Sequence, residues 1–216
     1  MDIKLETITI NDRCYPMQLK QIYDAPKKLY VRGNKEILGG FGIAIVGCRD
    51  NTKYGEIITK NLAYNLAKNG VIIISGLAKG IDSFAHIGTI YAKGRTIAVL
   101  GNSIDSIYPK ENEIIAQKII EYGGAIISEY PIGSKIEKKN FPARNRIISG
   151  LSKGVIVVEA KEKSGSLITA DFALEQGRDV YAVPGSITSS NSVGTNNLIK
   201  DGAIPVTSYE DVLINV

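Results

Sequence analysis

The chain has 216 residues, 44% of them hydrophobic, and 26 basic against 22 acidic side chains give a net charge of +4. That is enough for one sizeable core, and so mild an excess does not by itself mark a nucleic-acid binder. No leader-like apolar run opens the sequence and no stretch reaches the ~18 apolar residues of a membrane span, so a cytoplasmic protein with no membrane partner is expected.

Residues 1 to about 40 carry scattered apolar anchors, among them Ile8, Ile10, Tyr15, Leu19, Leu29 and Val31, and Gly39-Gly40 reads as a joint. The expected organisation is an N-terminal extension, 1–40, packed on a main domain, 41–216. From Phe41 onward the pattern is regular. Ile43–Val46 is a short run of the buried-strand type, and Tyr54, Ile58, Leu62 and Leu66 recur at helical spacing. Val71–Ile74 is the next strand and 81–93 the next helix. Thr96–Leu100 is a strand, and a loop with Tyr108-Pro109 leads into a helix over 111–121. Strands follow at 125–128 and 155–158, a helix at 166–176 and a strand at 180–183. A helix-strand-helix piece closes the chain over 195–214. Strands alternating with helices predict an α/β fold, a doubly wound, mostly parallel sheet of the extended Rossmann-like kind.

The loops after the predicted strands share a character. They are Gly47-Cys48-Arg49, Ser75 to Gly80, Gly101-Asn102-Ser103, Glu159 with Ser164 to Thr169, and Pro184-Gly185-Ser186. All five leave carboxyl ends of parallel strands, the edge where open α/β sheets bind ligands. Ser75-Gly76-Leu77-Ala78-Lys79-Gly80 stands out, because a strand, a glycine turn and a helix start can turn backbone N–H groups toward an anion. No loop fits Gly-x-Gly-x-x-Gly or the P-loop spacing, which disfavours a nicotinamide enzyme or an ATPase. No cofactor is expected. Cys14 and Cys48 lie outside any metal-ligand spacing, so no metal is expected either.

Between Ile132 and Arg146, Lys135, Lys138, Lys139, Arg144 and Arg146 stand against Glu137 alone. Pro142 suits the first turn of a helix whose buried side is Ile147, Ile148 and Leu151. An aromatic beside arginines can stack a base while the guanidinium groups hold phosphates. Phe141 could equally staple the helix to the core, with the arginines in surface ion pairs. His86 lies one turn beyond Asp82, and a structural hydrogen bond between them fits better than catalysis. Glu159 could act in acid-base chemistry, but capping the Ser164–Thr169 turn fits better.

Taken in order, Val46-Gly47-Cys48-Arg49, Ser75 to Asp82 with Ala85-His86, Ile97 to Gly101, Tyr108-Pro109, Ser128-Glu129, Phe141 to Arg146, Val158-Glu159-Ala160, Ser164 to Thr169 and Ala182 to Gly185 resemble the DNA-processing protein family DprA, also called Smf. The resemblance runs from about 41 to 206. It implies a non-enzymatic, dimeric binder of single-stranded DNA that protects incoming strands and loads the recombinase RecA during natural transformation. By motif it implies DNA contacts at Arg49, Ser75, Gly76, Ala78, Lys79, Gly80, Lys139, Phe141, Arg144, Asn145, Arg146, Ser164 and Ser166. It puts the dimer and RecA surface at Asn197, Leu198 and Ile199. The helical N-terminal and winged-helix C-terminal domains that many members carry are not expected in this sequence, and Cys48 stands where members often have Ser. The alternative is a related nucleotide-processing or nucleotide-sensing Rossmann protein. Its enzymes carry Pro-Gly-Gly-x-Gly-Thr-x-x-Glu where this chain has Ser-Gly-Ser-Leu-Ile-Thr at 164–169.

Overall fold

The computed structural model describes residues 5–214. The strands are β1 (Leu5–Thr9), β2 (Lys28–Gly33), β3 (Gly42–Val46), β4 (Ile72–Ser75), β5 (Thr96–Leu100), β6 (Ala125–Ser128), β7 (Gly154–Val157), β8 (Asp179–Ala182) and β9 (Ile204–Pro205). The helices are α1 (Met17–Lys20), α2 (Lys53–Lys68), α3 (Ile81–Tyr91), α4 (Glu113–Glu121), α5 (Asn140–Gly150), α6 (Gly165–Glu175), α7 (Val193–Lys200) and α8 (Glu210–Leu213). The apolar runs at 96–100 and 125–128 are strands at those bounds, and β3, β4, β7 and β8 begin and end within one residue of the predicted ones.

All strands join one nine-stranded sheet in the order β1-β2-β6-β5-β4-β3-β7-β8-β9. From β6 to β9 every pairing is parallel. Every residue of β3, β4, β5, β6 and β7 is buried, which is why these strands read as unbroken apolar runs. Alternate residues serve opposite faces. Ala44, Val46, Ile74, Val155 and Val157 pack against Ile147 and Ile148 of α5 and Ala170 and Ala173 of α6. Ile43, Ile45, Ile73 and Ile156 pack against Leu62 and Leu66 of α2 and Ala85 of α3. Each fully buried Val, Leu or Ile side chain among these contributes about 1.5–3 kcal/mol.

The first forty residues supply two strands. β1 and β2 form an antiparallel pair, and β2 runs antiparallel along β6, with Tyr30 opposite Ser128. Ile8, Leu19, Leu29 and Val31 are buried in the same apolar cluster as Val99 and Ile127. The alternation of Ile8 with Ile10, and of Leu29 with Val31, is the strand signal in this stretch.

The chain runs β3-β4-β5-β6 outward in one direction, and α5 then returns it to β7 on the opposite side of β3. The loops after β3 and β7 therefore diverge and leave a crevice at the carboxyl ends of the strands.

Candidate nucleic-acid interface

A cleft of about 590 Å³ opens at that switch point. The loop after β3 lines it with Gly47, Cys48, Arg49 and Asp50, and the loop after β7 with Lys161, Lys163 and Ser164. A smaller adjoining recess of about 130 Å³ shares Arg49, Ala78, Tyr108, Phe141 and Arg144 with it and reaches Gly76, Lys79, Gly101 and Asn102. Four of the five glycine- and serine-rich loops thus meet. The fifth, 184–186, is not among the lining residues of either cavity. It lies beyond the mouth of α2, where the Tyr54 hydroxyl donates to the Pro184 carbonyl (2.9 Å).

The floor is a pinned loop. Asp82, in the first turn of α3, accepts the backbone N–H of Gly76 (3.2 Å) and of Ala78 (3.4 Å). The anion these two amides hold is therefore the chain's own carboxylate, which corrects the expectation that they face a ligand. Ser75 Oγ turns inward to the Ile45 carbonyl (2.7 Å). Ser83 Oγ donates to Ala78 O (2.6 Å), and Asn112 Nδ2 to Leu77 O (2.8 Å). Gly80 has φ +84°, and a Cβ there would meet the carbonyls of Cys48 and Arg49 at 2.5 Å, so only glycine lets the β3 and β4 loops touch.

Arg144 completes the floor. It is 4% exposed, and its Nη1 donates to the carbonyls of Gly76 (2.7 Å) and Val99, tying the ends of β4 and β5 to α5. A Cβ on Gly76 would collide with that guanidinium, so the glycine makes room for the arginine. Burial pulls the Arg144 guanidinium down to about 10, partly offset by Asp82. Burial likewise pushes the Asp82 carboxyl up, against the pull of Arg144 and the two amides.

The rim is different. Arg49 is exposed, with its guanidinium carbon 5.9 Å from the centre of the Phe141 ring. Tyr108, 46% exposed, lies 5.8 Å from the same ring at 49°. Phe141 is half-buried: its backbone lies against Gly101 while its ring lines both cavities. The two sequence readings of Phe141, core staple and stacking face, are thus compatible. Lys79, Lys138, Lys161 and Lys163 are exposed around this group, with Asp50 and the engaged Asp82 as the acids of the cleft wall.

The N-terminus of α6 closes the far side. Ser164 caps it by accepting from Ser166 N–H (3.4 Å), and the two hydroxyls lie 2.8 Å apart. The positive end of the helix dipole is turned to the cleft there. Asn145 bridges the walls, donating to Gly165 O and accepting from Arg144 Nε, both at 3.2 Å.

Other residues sit elsewhere. Arg146, 8% exposed, forms a two-pronged pair with Glu129 (2.9 and 2.7 Å), meets Asp24 at 3.2 Å and faces a separate cavity. Lys139 is exposed but paired with Glu137 (2.8 Å), and its neighbour Lys138 is the one that lines the cleft. Asn197 is exposed on α7, with Leu198 and Ile199 half-buried beside it, outside the cleft. His86 does not bond Asp82. Its Nδ1 lies 2.8 Å from Thr96 Oγ1, and since that hydroxyl donates to Ile73 O, the imidazole is the donor. Glu159 does not cap α6. It accepts from Thr52 N–H (2.8 Å) and Oγ1 (2.6 Å) at the start of α2. The buried Cys48 thiol beside it is pushed up to about 12 by burial, then by Glu159, so it stays a thiol and not a nucleophile. Reasoning from sequence missed Tyr108, Lys138, Lys161 and Lys163 as lining residues. Their place in strand-end loops was the available signal.

The family model described as DNA recombination-mediator protein A matches residues 6–216. The chain belongs to that family. It is 47% identical over 209 residues to Protein Smf of Escherichia coli, covering 97% of this chain and 56% of that protein, so it spans little more than half of that relative's length. It is also similar to a crystal structure of DNA processing protein A from Streptococcus pneumoniae, with TM-score 0.92 and 46% identity over 98% of this chain and 74% of that one. A structure of DNA processing protein A from Helicobacter pylori, described for its single-stranded DNA binding mode, matches with TM-score 0.88 and 33% identity over 99% of this chain and 96% of that one. Among the described residues no helix is long and apolar enough to cross a membrane, and no cluster of ligating side chains could hold a metal ion.

Proposed function

We propose that the cleft binds single-stranded DNA with little regard to sequence. One observation carries the reading: exposed Arg49 and Tyr108 and half-buried Phe141 form a cation-aromatic group on the rim of a cleft edged by exposed lysines. A base stacks on the ring of Phe141 or Tyr108, and Arg49, Lys79, Lys138, Lys161 and Lys163 neutralise phosphates. Ser164, Ser166 and the α6 N-terminus accept a further phosphate, and Asn145 keeps the two walls in register. Ser75, Gly76, Ala78, Gly80 and Arg144 act by holding the floor, and Lys139 and Arg146 stand outside the contact. The relative from Helicobacter pylori, described for its single-stranded DNA binding mode, supports this reading.

The rest of the family's activity is proposed with it: protection of incoming strands in transformation, a homodimer, and delivery of the strand to the recombinase RecA through the surface around Asn197, Leu198 and Ile199. The main domain carries the site, and the N-terminal extension adds β1 and β2 to its sheet.

Anisotropy titration of a labelled oligo-dT over a range of salt tests the central part. Affinity should fall steeply with salt, with a slope near −0.7 per phosphate contact. Binding that ignores salt, or release of free base from a mononucleotide, would replace this reading with the nucleotide-processing alternative.

A further inference from the structure

A second basic-aromatic surface lies outside the cleft. An open groove of about 560 Å³ is lined by the exposed lysines Lys20, Lys27 and Lys28 and by Tyr23, whose ring is wholly in solvent. Among the described residues no acidic side chain lines it. Of the two nearest acids in sequence, Asp12 accepts the Thr9 N–H (2.6 Å), and Asp24, itself exposed, lies 3.2 Å from the Arg146 guanidinium. The groove thus presents positive charge around an aromatic face, the combination found on the rim of the cleft.

Register ties the two together. Lys28 pairs with Thr9 and lies two residues beyond Tyr30, which is opposite Ser128 at the end of β6. Lys27 and Lys28 therefore emerge at the carboxyl edge of the parallel strands, the edge that carries the cleft. Four strand spacings separate β2 from β3, on the order of 20 Å. A stacked single strand crosses that in about six nucleotides.

We propose that this groove holds a second stretch of the strand bound in the cleft, with Lys20, Lys27 and Lys28 on its phosphates and Tyr23 stacked on a base. The proposal rests on the cleft being a single-strand site. It makes the footprint longer than the cleft and makes affinity depend on strand length beyond about six nucleotides.

The test compares oligo-dT of about 6 and about 24 nucleotides on the full chain, the triple variant Lys20→Glu/Lys27→Glu/Lys28→Glu and Tyr23→Ala. All four side chains are exposed, so thermal melting should not change. For the longer strand the triple variant should lose roughly tenfold or more in affinity and about two units of salt slope, and Tyr23→Ala roughly fivefold in affinity. The short strand should bind all three proteins alike. Equal loss for both lengths would show a general charge effect and overturn the proposal. So would unchanged binding of the longer strand, as expected if the groove serves an acidic protein surface instead. If the unaltered chain binds neither strand, the reading of the cleft fails as well.

Discussion

On the floor of the cleft, Arg144 and Asp82 are buried and spend their hydrogen bonds on the backbone of Gly76, Ala78 and Val99. On the rim, a few ångströms away, Arg49 is exposed, with its guanidinium carbon 5.9 Å from the centre of the Phe141 ring. The two arginines share a chemistry and differ in what they are free to do. A buried guanidinium that is already bonded fixes geometry, whereas an exposed one can exchange water and counterions for a phosphate. In the proposed reading the floor gives the site its shape and the rim gives it affinity.

Breaking the floor should have the largest effect. Arg144→Ala leaves the buried carbonyls of Gly76 and Val99 without their donor and removes the cation whose field favours the buried Asp82 carboxylate, so urea unfolding should show a loss of about 3–5 kcal/mol. An unfolding midpoint equal to that of the unaltered chain would mean that Arg144 is not a structural pin. Phe141→Ala should weaken oligo-dT binding by about 1–3 kcal/mol per stacked base. A drop in melting temperature with affinity unchanged would leave Phe141 as a core staple only.

Arg49→Ala should cost about 1 kcal/mol of affinity and reduce the salt slope by about 0.7, with no change in melting. The smallest effect concerns pH. Burial holds the His86 imidazole at about 3, so the fold favours its neutral form. Its contribution is complete above the ordinary value of about 6.5 and is lost as pH falls toward 3, by at most ~1.4 kcal/mol per unit. The raised Asp82 carboxyl works the other way, since the fold takes up its proton sooner as pH falls. His86→Gln should flatten the decline in stability below about pH 6.5, read from urea midpoints across pH. An unchanged decline would assign it to other groups.

The parallel sheet was legible because strands buried on both faces leave unbroken apolar runs, as in Ile43–Val46 and Thr96–Leu100. The β1-β2 pair was not, because one-sided strands alternate, and Lys28–Gly33 places only Leu29 and Val31 inside. The cleft's position followed from strand-end loops, but the state of its groups did not. Nothing in Ser75 to Asp82 announces that Asp82 takes up the amides of Gly76 and Ala78. The split between Arg144 and Arg146 could have been read. On a helix of about 3.6 residues per turn, positions 141, 144, 145 and 148 share a face and 146 points nearly opposite. Phe141, Arg144, Asn145 and Ile148 line the cleft, and Arg146 binds Glu129 behind it.

That split offers the most direct measurement: the salt dependence of oligo-dT affinity for Arg49→Ala and Arg146→Ala, side by side, at salt and temperature where both are folded. The slope should drop by about 0.7 for Arg49→Ala and stay at the unaltered chain's value for Arg146→Ala. A reduced slope for Arg146→Ala with an unchanged one for Arg49→Ala would contradict the division between a structural interior and a binding rim.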